Sequence, residues 1–143
     1  TDPCKTAKNV GKLLLSPTRT YAPIIKKIIS SNFNNISGII HCTGGGQTKV
    51  LHFTDKLRIV KDNLFEIPEI FQIIQNDTDT TLKEMYEVFN MGHRMEIYCK
   101  PKVAGDIISI SKSFNVDAKI IGKVEKSVKK SLIIESEEGI IEY

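Results

Sequence analysis

Three consecutive glycines, Gly44, Gly45 and Gly46, follow directly on the short β-branched run Ile36-Ser37-Gly38-Ile39-Ile40-His41-Cys42. A residue without Cβ enters the positive-φ region freely and lets other backbone approach closely, so a buried segment ending here can turn more sharply than any other sequence allows. The same freedom lets successive N–H groups line a concavity for an anion. His41 and Thr43 stand where the loop begins, able to donate to a phosphate or carbonyl oxygen. On the hexapeptide His41-Cys42-Thr43-Gly44-Gly45-Gly46 alone, a ligand loop and a tight turn with His41 as a satisfied core histidine are equally open. The spacing is neither that of a Walker A loop nor that of a dinucleotide fingerprint.

The segments around the loop alternate in type. Residues 1–11 are polar and broken by Pro3 and Gly11, which reads as a linker or lead-in, and Lys12-Leu13-Leu14-Leu15, stopped by Ser16-Pro17, reads as a strand. Tyr21, Ile24, Ile25, Ile28 and Ile29 share one helical stripe ending near Ser31, with Thr18 or Thr20 placed to cap it and Pro23 in its first turn. Residues 47–53 suit one or two helical turns, and Leu57-Arg58-Ile59-Val60 suits a strand. Pro68 fits the first position of a helix carrying Ile70, Phe71, Ile73 and Ile74, closed by Asn76-Asp77-Thr78-Asp79. Thr81-Leu82-Lys83-Glu84 matches a capping box, opening a helix that buries Leu82, Met85 and Phe89 and stops at Asn90-Met91-Gly92.

Residues 93–99 alternate, with Met95, Ile97 and Cys99 on the face expected to be buried and Arg94, Glu96 and Tyr98 on the other. Val103, Ile107, Ile110 and Phe114 keep helical spacing; residues 118–124 and 131–134 read as strands joined across a lysine-rich turn. Ser136-Glu137-Glu138-Gly139 then turns into a final hairpin. The last fifty or so residues thus read β-α-β-β-β, a split unit on one sheet. The fold class is α+β: a mixed sheet with helices packed on it, partly ferredoxin-like.

The chain has 143 residues, 41% hydrophobic and 26% charged, which suits one domain with one core that needs no metal or disulfide to fold. Twenty Lys+Arg against seventeen Asp+Glu leave a formal charge of +3, too weak to argue for nucleic acid. Cys4, Cys42 and Cys99 are odd in number and lack C-x-x-C spacing, so they read as buried small hydrophobes in a reducing compartment. No apolar run approaches the roughly 18 residues of a membrane helix and no signal peptide opens the chain, which points to the cytoplasm without a membrane partner. The start at Thr1-Asp2-Pro3-Cys4, without an initiator Met, suggests a piece of something longer.

Two further segments carry candidate chemistry. In Phe89-Asn90-Met91-Gly92-His93-Arg94-Met95, Asn90 and Gly92 suit a helix stop, since both tolerate left-handed φ. In Ser16-Pro17-Thr18-Arg19 a guanidinium at a strand-to-helix turn suits a phosphate, although a surface arginine is more often solvated. His52 and His93 have no partner at a meaningful spacing. No acidic cluster is recognised as a magnesium site, and a G-x-S-x-G elbow and a paired Cys and His are missing, so metal ligands are expected from outside this chain.

Taken in order, Leu14-Leu15-Ser16-Pro17-Thr18-Arg19-Thr20-Tyr21, His41-Cys42-Thr43-Gly44-Gly45-Gly46 and Glu84-Met85-Tyr86-Glu87-Val88-Phe89-Asn90-Met91-Gly92 carry a resemblance. They resemble the P-T-R-x-Y, H-x-T-G-G-G and E-M-x-x-x-F-N-x-G motifs of the C-terminal half of phosphoribosylformylglycinamidine cyclo-ligases, also called aminoimidazole ribonucleotide (AIR) synthetases. The resemblance covers nearly the whole chain from about Gly11 onward.

It implies that residues 12–143 form an AIR synthetase C-terminal domain that closes the cleft over formylglycinamidine ribonucleotide. An N-terminal ATP-binding domain outside this chain would hold most of the ATP and Mg2+ site, and the full enzyme would be a homodimer. By the same resemblance His41 would be catalytic, and Thr43, Gly44, Gly45, Gly46, Asn90, Gly92 and Arg19 would bind substrate or nucleotide; the fragment alone would be inactive. Two departures stand out. Gln47-Thr48-Lys49-Val50-Leu51-His52 occupies the place where many members have an acidic residue, Asn and Arg, and Arg94 replaces a second small residue. The alternatives are the equivalent domain of selenophosphate synthetase, thiamine-phosphate kinase or formylglycinamidine ribonucleotide synthetase, or a stand-alone anion-binding regulatory module.

Overall fold

The computed structural model describes residues 19–143 together with Gly11 and Leu15. Leu15 sits in a turn, its N–H donating to the Gly11 carbonyl at 3.1 Å, rather than in the strand expected from Lys12-Leu13-Leu14-Leu15. The other three residues of that stretch, the lead-in before Gly11 and Ser16-Pro17-Thr18 lie outside the described residues. The expectation of a single core gives way to two compact units, each built from separate stretches of chain.

One unit comprises residues 19–40 and 95–120. It holds helix α1 (Ala22–Asn32), a 3-10 turn (Phe33–Asn35), strand β1 (Ile36–His41, whose last residue belongs to the other unit), strand β3 (Met95–Cys99) and helix α4 (Pro101–Ser113). Ile24 and Ile28 of α1 meet Ile107 and Ile110 of α4 in a buried cluster, with Ile36, Ile97, Cys99 and Val103 packed around it. Asn32, buried at the end of α1, donates from Nδ2 to Asp106 Oδ2 at 2.7 Å. Thr20 does not cap α1, and Thr18 lies outside the described residues: the N-cap is Tyr21, whose side chain makes no capping bond to the helix, and Pro23 in the first turn removes one of the N–H groups a cap would satisfy.

The other unit comprises residues 41–94 and 121–143. It holds a 3-10 helix (Gly46–His52), β2 (Leu57–Lys61), α2 (Glu69–Thr78), α3 (Leu82–Val88), β4 (Gly122–Lys126), β5 (Ser131–Ser136) and β6 (Gly139–Glu142). Its sheet runs β4-β2-β5-β6 and is mixed: β2 pairs antiparallel with β4 and parallel with β5, and β5 pairs antiparallel with β6. In register, Ile59 stands between Val124 and Leu132. Pro68 is the N-cap of α2 rather than its first helical residue. The capping box of α3 is present, and the helix buries Leu82, Met85 and Tyr86, with Phe89 half-buried beyond its end.

The α+β class with a mixed sheet is as read from the sequence, but the strand pairing differs. The two strands flanking the lysine-rich turn are not neighbours; β2 lies between them. Ile59, Val60 and Lys61 are all buried, so β2 takes a central place with a partner on each side. β3 joins β1 in a separate two-stranded sheet, so the last fifty residues do not share one sheet. Within β3 the most buried residue is Glu96, on the face expected to be polar and open; the Tyr98 hydroxyl donates to its Oε2 at 2.6 Å, which offsets part of the cost of burying a carboxylate.

Candidate functional site

The glycine loop is built by opposed demands on its three glycines. β1 ends at His41, and Cys42 is buried with its N–H donating to the Arg94 carbonyl at 2.9 Å. Thr43 N–H donates to His41 O at 2.8 Å and Gly46 N–H to Thr43 O at 3.0 Å, which folds the chain back on itself. Gly45 has φ +87° and Gly46 φ +45°, both in the left-handed region. A Cβ on Gly46 would lie 2.5 Å from the Tyr86 carbonyl oxygen and collide with that of Phe89, so the loop is seated directly on the end of α3. Gly44 faces open space. Among the described residues the N–H groups of Gly44 and Gly45 have no hydrogen-bond partner.

A cation stands beside those amides. Lys49, half-buried in the 3-10 helix, donates from Nζ to His41 O at 3.0 Å and to Thr43 Oγ1 at 2.8 Å. Both acceptors are neutral, and among the described residues Lys49 has no carboxylate partner. An ammonium has three donors, so one remains for a ligand. His41 is exposed, which removes the reading of it as a satisfied core histidine. The buried histidine is His93: Phe65 N–H donates to its Nε2 at 3.0 Å, which assigns that nitrogen as the unprotonated one, and the Phe65 and His93 rings meet at a tilt of 44° with centroids 5.2 Å apart.

Beneath the loop runs a second set of contacts. Lys61, only 1% exposed, donates from Nζ to Gln47 O at 2.9 Å and to Gln47 Oε1 at 2.8 Å. Gln47 Nε2 in turn donates to the Asn90 carbonyl at 2.7 Å. Asn90 uses its side chain locally, Oδ1 accepting from Gly92 N–H at 3.0 Å, and its carbonyl also accepts from His93 N–H at 2.9 Å. Gly92, with φ +97°, packs against Pro68, where a Cβ would lie 3.0 Å from the ring.

The structure therefore brings His41, Thr43, Gly44, Gly45, Gly46, Asn90 and Gly92 into one unit, with Gln47 joining the two motifs. Arg19 belongs to the other unit, where its guanidinium donates to the Asn115 carbonyl at 2.8 Å. Lys49 and Lys61 are site residues that the sequence did not single out. Lys49 lies in the stretch that departs from the common pattern, and Lys61 ends an apolar strand. Burial pushes the Cys99 thiol up, away from thiolate chemistry, and Cys42 is 2% exposed, so both behave as small core residues; Cys4 lies outside the described residues. Among the described residues no helix is long and apolar enough to cross a membrane.

Fold and loop together define an α+β domain that carries a glycine loop flanked by lysine. The chain belongs to the family described as AIR synthase related protein, C-terminal domain, whose profile matches residues 1–135. It is 35% identical over 136 residues to the phosphoribosylformylglycinamidine cyclo-ligase of Methanococcus maripaludis strain C5, covering 95% of this chain and 38% of that protein. It is likewise 35% identical over 120 residues to the cyclo-ligase of Methanopyrus kandleri, covering 83% and 34%, and 32% identical over 127 residues to that of Methanocaldococcus jannaschii, covering 89% and 36%. The relatives bear the name to which the three ordered motifs pointed, and the chain spans little more than a third of their length. In fold it is similar to E. coli HypE, a hydrogenase maturation protein, with a TM-score of 0.61 at 16% identity over 87% of this chain and 39% of that one.

Proposed function

We propose that this chain is the ligand-holding C-terminal domain of an ATP-dependent cyclo-ligase that closes formylglycinamidine ribonucleotide to aminoimidazole ribonucleotide. The observation that carries the reading is the pair of unpartnered N–H groups at Gly44 and Gly45 next to a Lys49 ammonium held by two neutral oxygens. Backbone donors without a Cβ in the way, beside a cation lacking a counter-charge, suit the phosphate of a ribonucleotide. The names of the relatives support the reaction.

In that reaction the formyl amide oxygen is phosphorylated by ATP, the amidine nitrogen attacks the activated carbon, and phosphate leaves as the ring closes. The share of this domain is binding and orientation, which bring nitrogen and carbon together without a diffusive encounter. His41, exposed at the entrance of the loop, is the candidate for proton transfer at the closing ring, and Thr43, Gly44, Gly45 and Gly46 for contacts to the ribonucleotide. Bound Mg2+ would neutralise charge on the transferring phosphoryl group. Among the described residues no group of three or more His, Cys, Asp or Glu could hold a metal, so they do not fit a magnesium site. Its ligands, and most of the ATP contacts, would come from an N-terminal domain, with the whole enzyme a cytoplasmic homodimer.

The test is an assay of ATP-dependent ring closure by the natural polypeptide that contains this chain, following the aromatic amine of the product by diazo coupling. Turnover is expected, and Lys49→Met should raise KM for the ribonucleotide about tenfold, equivalent to about 1.4 kcal/mol of a charge-assisted contact, while leaving kcat within about twofold. A folded wild-type protein without turnover overturns the reading.

A further inference from the structure

We propose that Lys61 is the positioning residue of the glycine loop: from beneath, through Gln47, it sets the conformation of the loop and couples it to the turn at Asn90 and Gly92. The consequence for ligand binding rests on the function proposed above; the mechanical coupling does not.

Lys61 shares a face of β2 with Ile59, and it is 1% exposed. At such a place an apolar side chain would fill the space without the cost of desolvating an ammonium. What Lys61 does there is visible in its contacts. Both oxygens of Gln47, main-chain and side-chain, accept from Nζ at 2.9 and 2.8 Å. Hydrogen bonds from an ammonium are about twice as strong as neutral ones, so the conformation of Gln47 is held by more than one ordinary hydrogen bond.

Gln47 follows Gly46 directly and is itself 1% exposed. With Oε1 committed to Lys61, the amide of Gln47 is oriented so that Nε2 meets the Asn90 carbonyl at 2.7 Å. The loop is thus held at two levels. Lys49 ties its outer side to His41 and Thr43, and Lys61 ties its inner side to the sheet. Between the two lie Gly44 and Gly45, with their N–H groups unpartnered among the described residues. A glycine stretch is otherwise the part of a chain with most conformational freedom to lose on binding, so fixing it beforehand strengthens binding without touching the ligand.

The experiment compares Lys61→Met, Gln47→Met and the double variant in the natural polypeptide, by amide hydrogen exchange of the ligand-free protein and by steady-state kinetics. In each single variant, exchange over residues 46–50 should accelerate at least about tenfold while Leu132 and Ile134 in β5 keep their protection. KM for the ribonucleotide should rise about tenfold with kcat within about twofold, and the double variant should be no worse than the poorer single one, because both substitutions break one linkage.

Unchanged loop exchange in folded Lys61→Met, or additive effects in the double variant, overturns the proposal; so does a lowered Tm with KM unaltered, which marks a merely structural lysine. Should Lys61→Met fail to fold, Gln47→Glu decides: it keeps acceptors for Lys61 but loses the donor to Asn90, so exchange at Gly92 and His93 should accelerate while residues 46–50 stay protected. The reverse pattern overturns the coupling. A wild-type protein that does not close the ring removes the catalytic reading alone, since the exchange data still test the positioning role.

Discussion

Three identical letters at 44–46 divide into different physical roles. Gly46 belongs to the fold: its φ of +45° is in the region that L side chains rarely adopt, and an added Cβ would meet the carbonyl oxygens at the end of α3. Gly44 has neither restriction and faces open space. Gly46→Ala should therefore destabilise the domain by about 2 kcal/mol or more, the sum of strain at positive φ and a backbone collision. Gly44→Ala should shift stability by no more than about 0.5 kcal/mol. Paired thermal melts test the contrast, and an unaltered Tm for Gly46→Ala would mean that the loop is not seated on α3. The sequence marks the position of such a loop, because glycine runs are rare and physically meaningful. It does not tell which glycine serves what, because that depends on which backbone passes overhead. Lys61 is illegible for a related reason: a lysine at the end of an apolar strand reads as a solvated charge, whereas in the fold it is buried and donates to Gln47.

Elements stabilised by neighbours in sequence were legible, and those that depend on distant partners were not. The capping box is the clearest local case, with Glu84 N–H donating to Thr81 Oγ1 at 3.3 Å and Thr81 N–H to Glu84 Oε2 at 3.1 Å. These bonds, the Thr81 side chain foremost and its backbone next, hold the Glu84 carboxyl below the usual carboxylate value. A group depressed in the folded state contributes stability that is present above its unfolded value and is lost as pH falls through the folded one. Thr81→Ala should lower Tm by a few degrees at pH 7, and the gap to wild type should narrow as pH falls below about 4. A gap independent of pH would remove Glu84 from the box.

The end of the sheet gives the opposite sign. Burial, followed by the nearby Glu87 and Tyr86, pushes the Tyr143 phenol up, and its hydroxyl donates to the Lys83 carbonyl at 2.5 Å. That stability is present below the ordinary phenol value near pH 10 and lost as pH rises through the folded one, so wild type should lose more Tm than Tyr143→Phe in alkaline melts. Strand pairing, by contrast, could not be read locally. β4 and β5 are close in sequence yet flank β2, and at Gly122, opposite Lys61, the backbones approach so closely that a Cβ would collide with the Val60 carbonyl.

Across the whole molecule, composition and periodicity reveal the α+β class, and the ordered motifs reveal the family, but neither reveals two units. Both are made from isoleucine-rich segments of the same kind, and each is assembled from stretches that the other interrupts: among the described residues the boundaries fall at 40–41, 94–95 and 120–121. The unit of residues 19–40 and 95–120 rests on the small cluster of Ile24, Ile28, Ile107 and Ile110, of which Ile28, 1% exposed, is the most deeply buried. A cluster of four side chains has little redundancy, so Ile28→Ala should cost about 2–5 kcal/mol through lost burial and a residual cavity. If the two units have separate cores, the loss is local. Hydrogen exchange should accelerate in α1, β1, β3 and α4, while Ile59 and Leu132, paired in the other sheet, keep their protection near wild-type levels. Loss of protection throughout both sheets would instead show that the units unfold as one. The distinction bears on the loop, because β1 runs from the isoleucine cluster to His41 and so delivers the chain to Thr43 and Gly44. With local melting, Ile28→Ala should leave the bonds from Lys61 to Gln47 in place and free only the entry side of the loop, visible as faster exchange at Thr43 with Thr48 and Val50 unchanged.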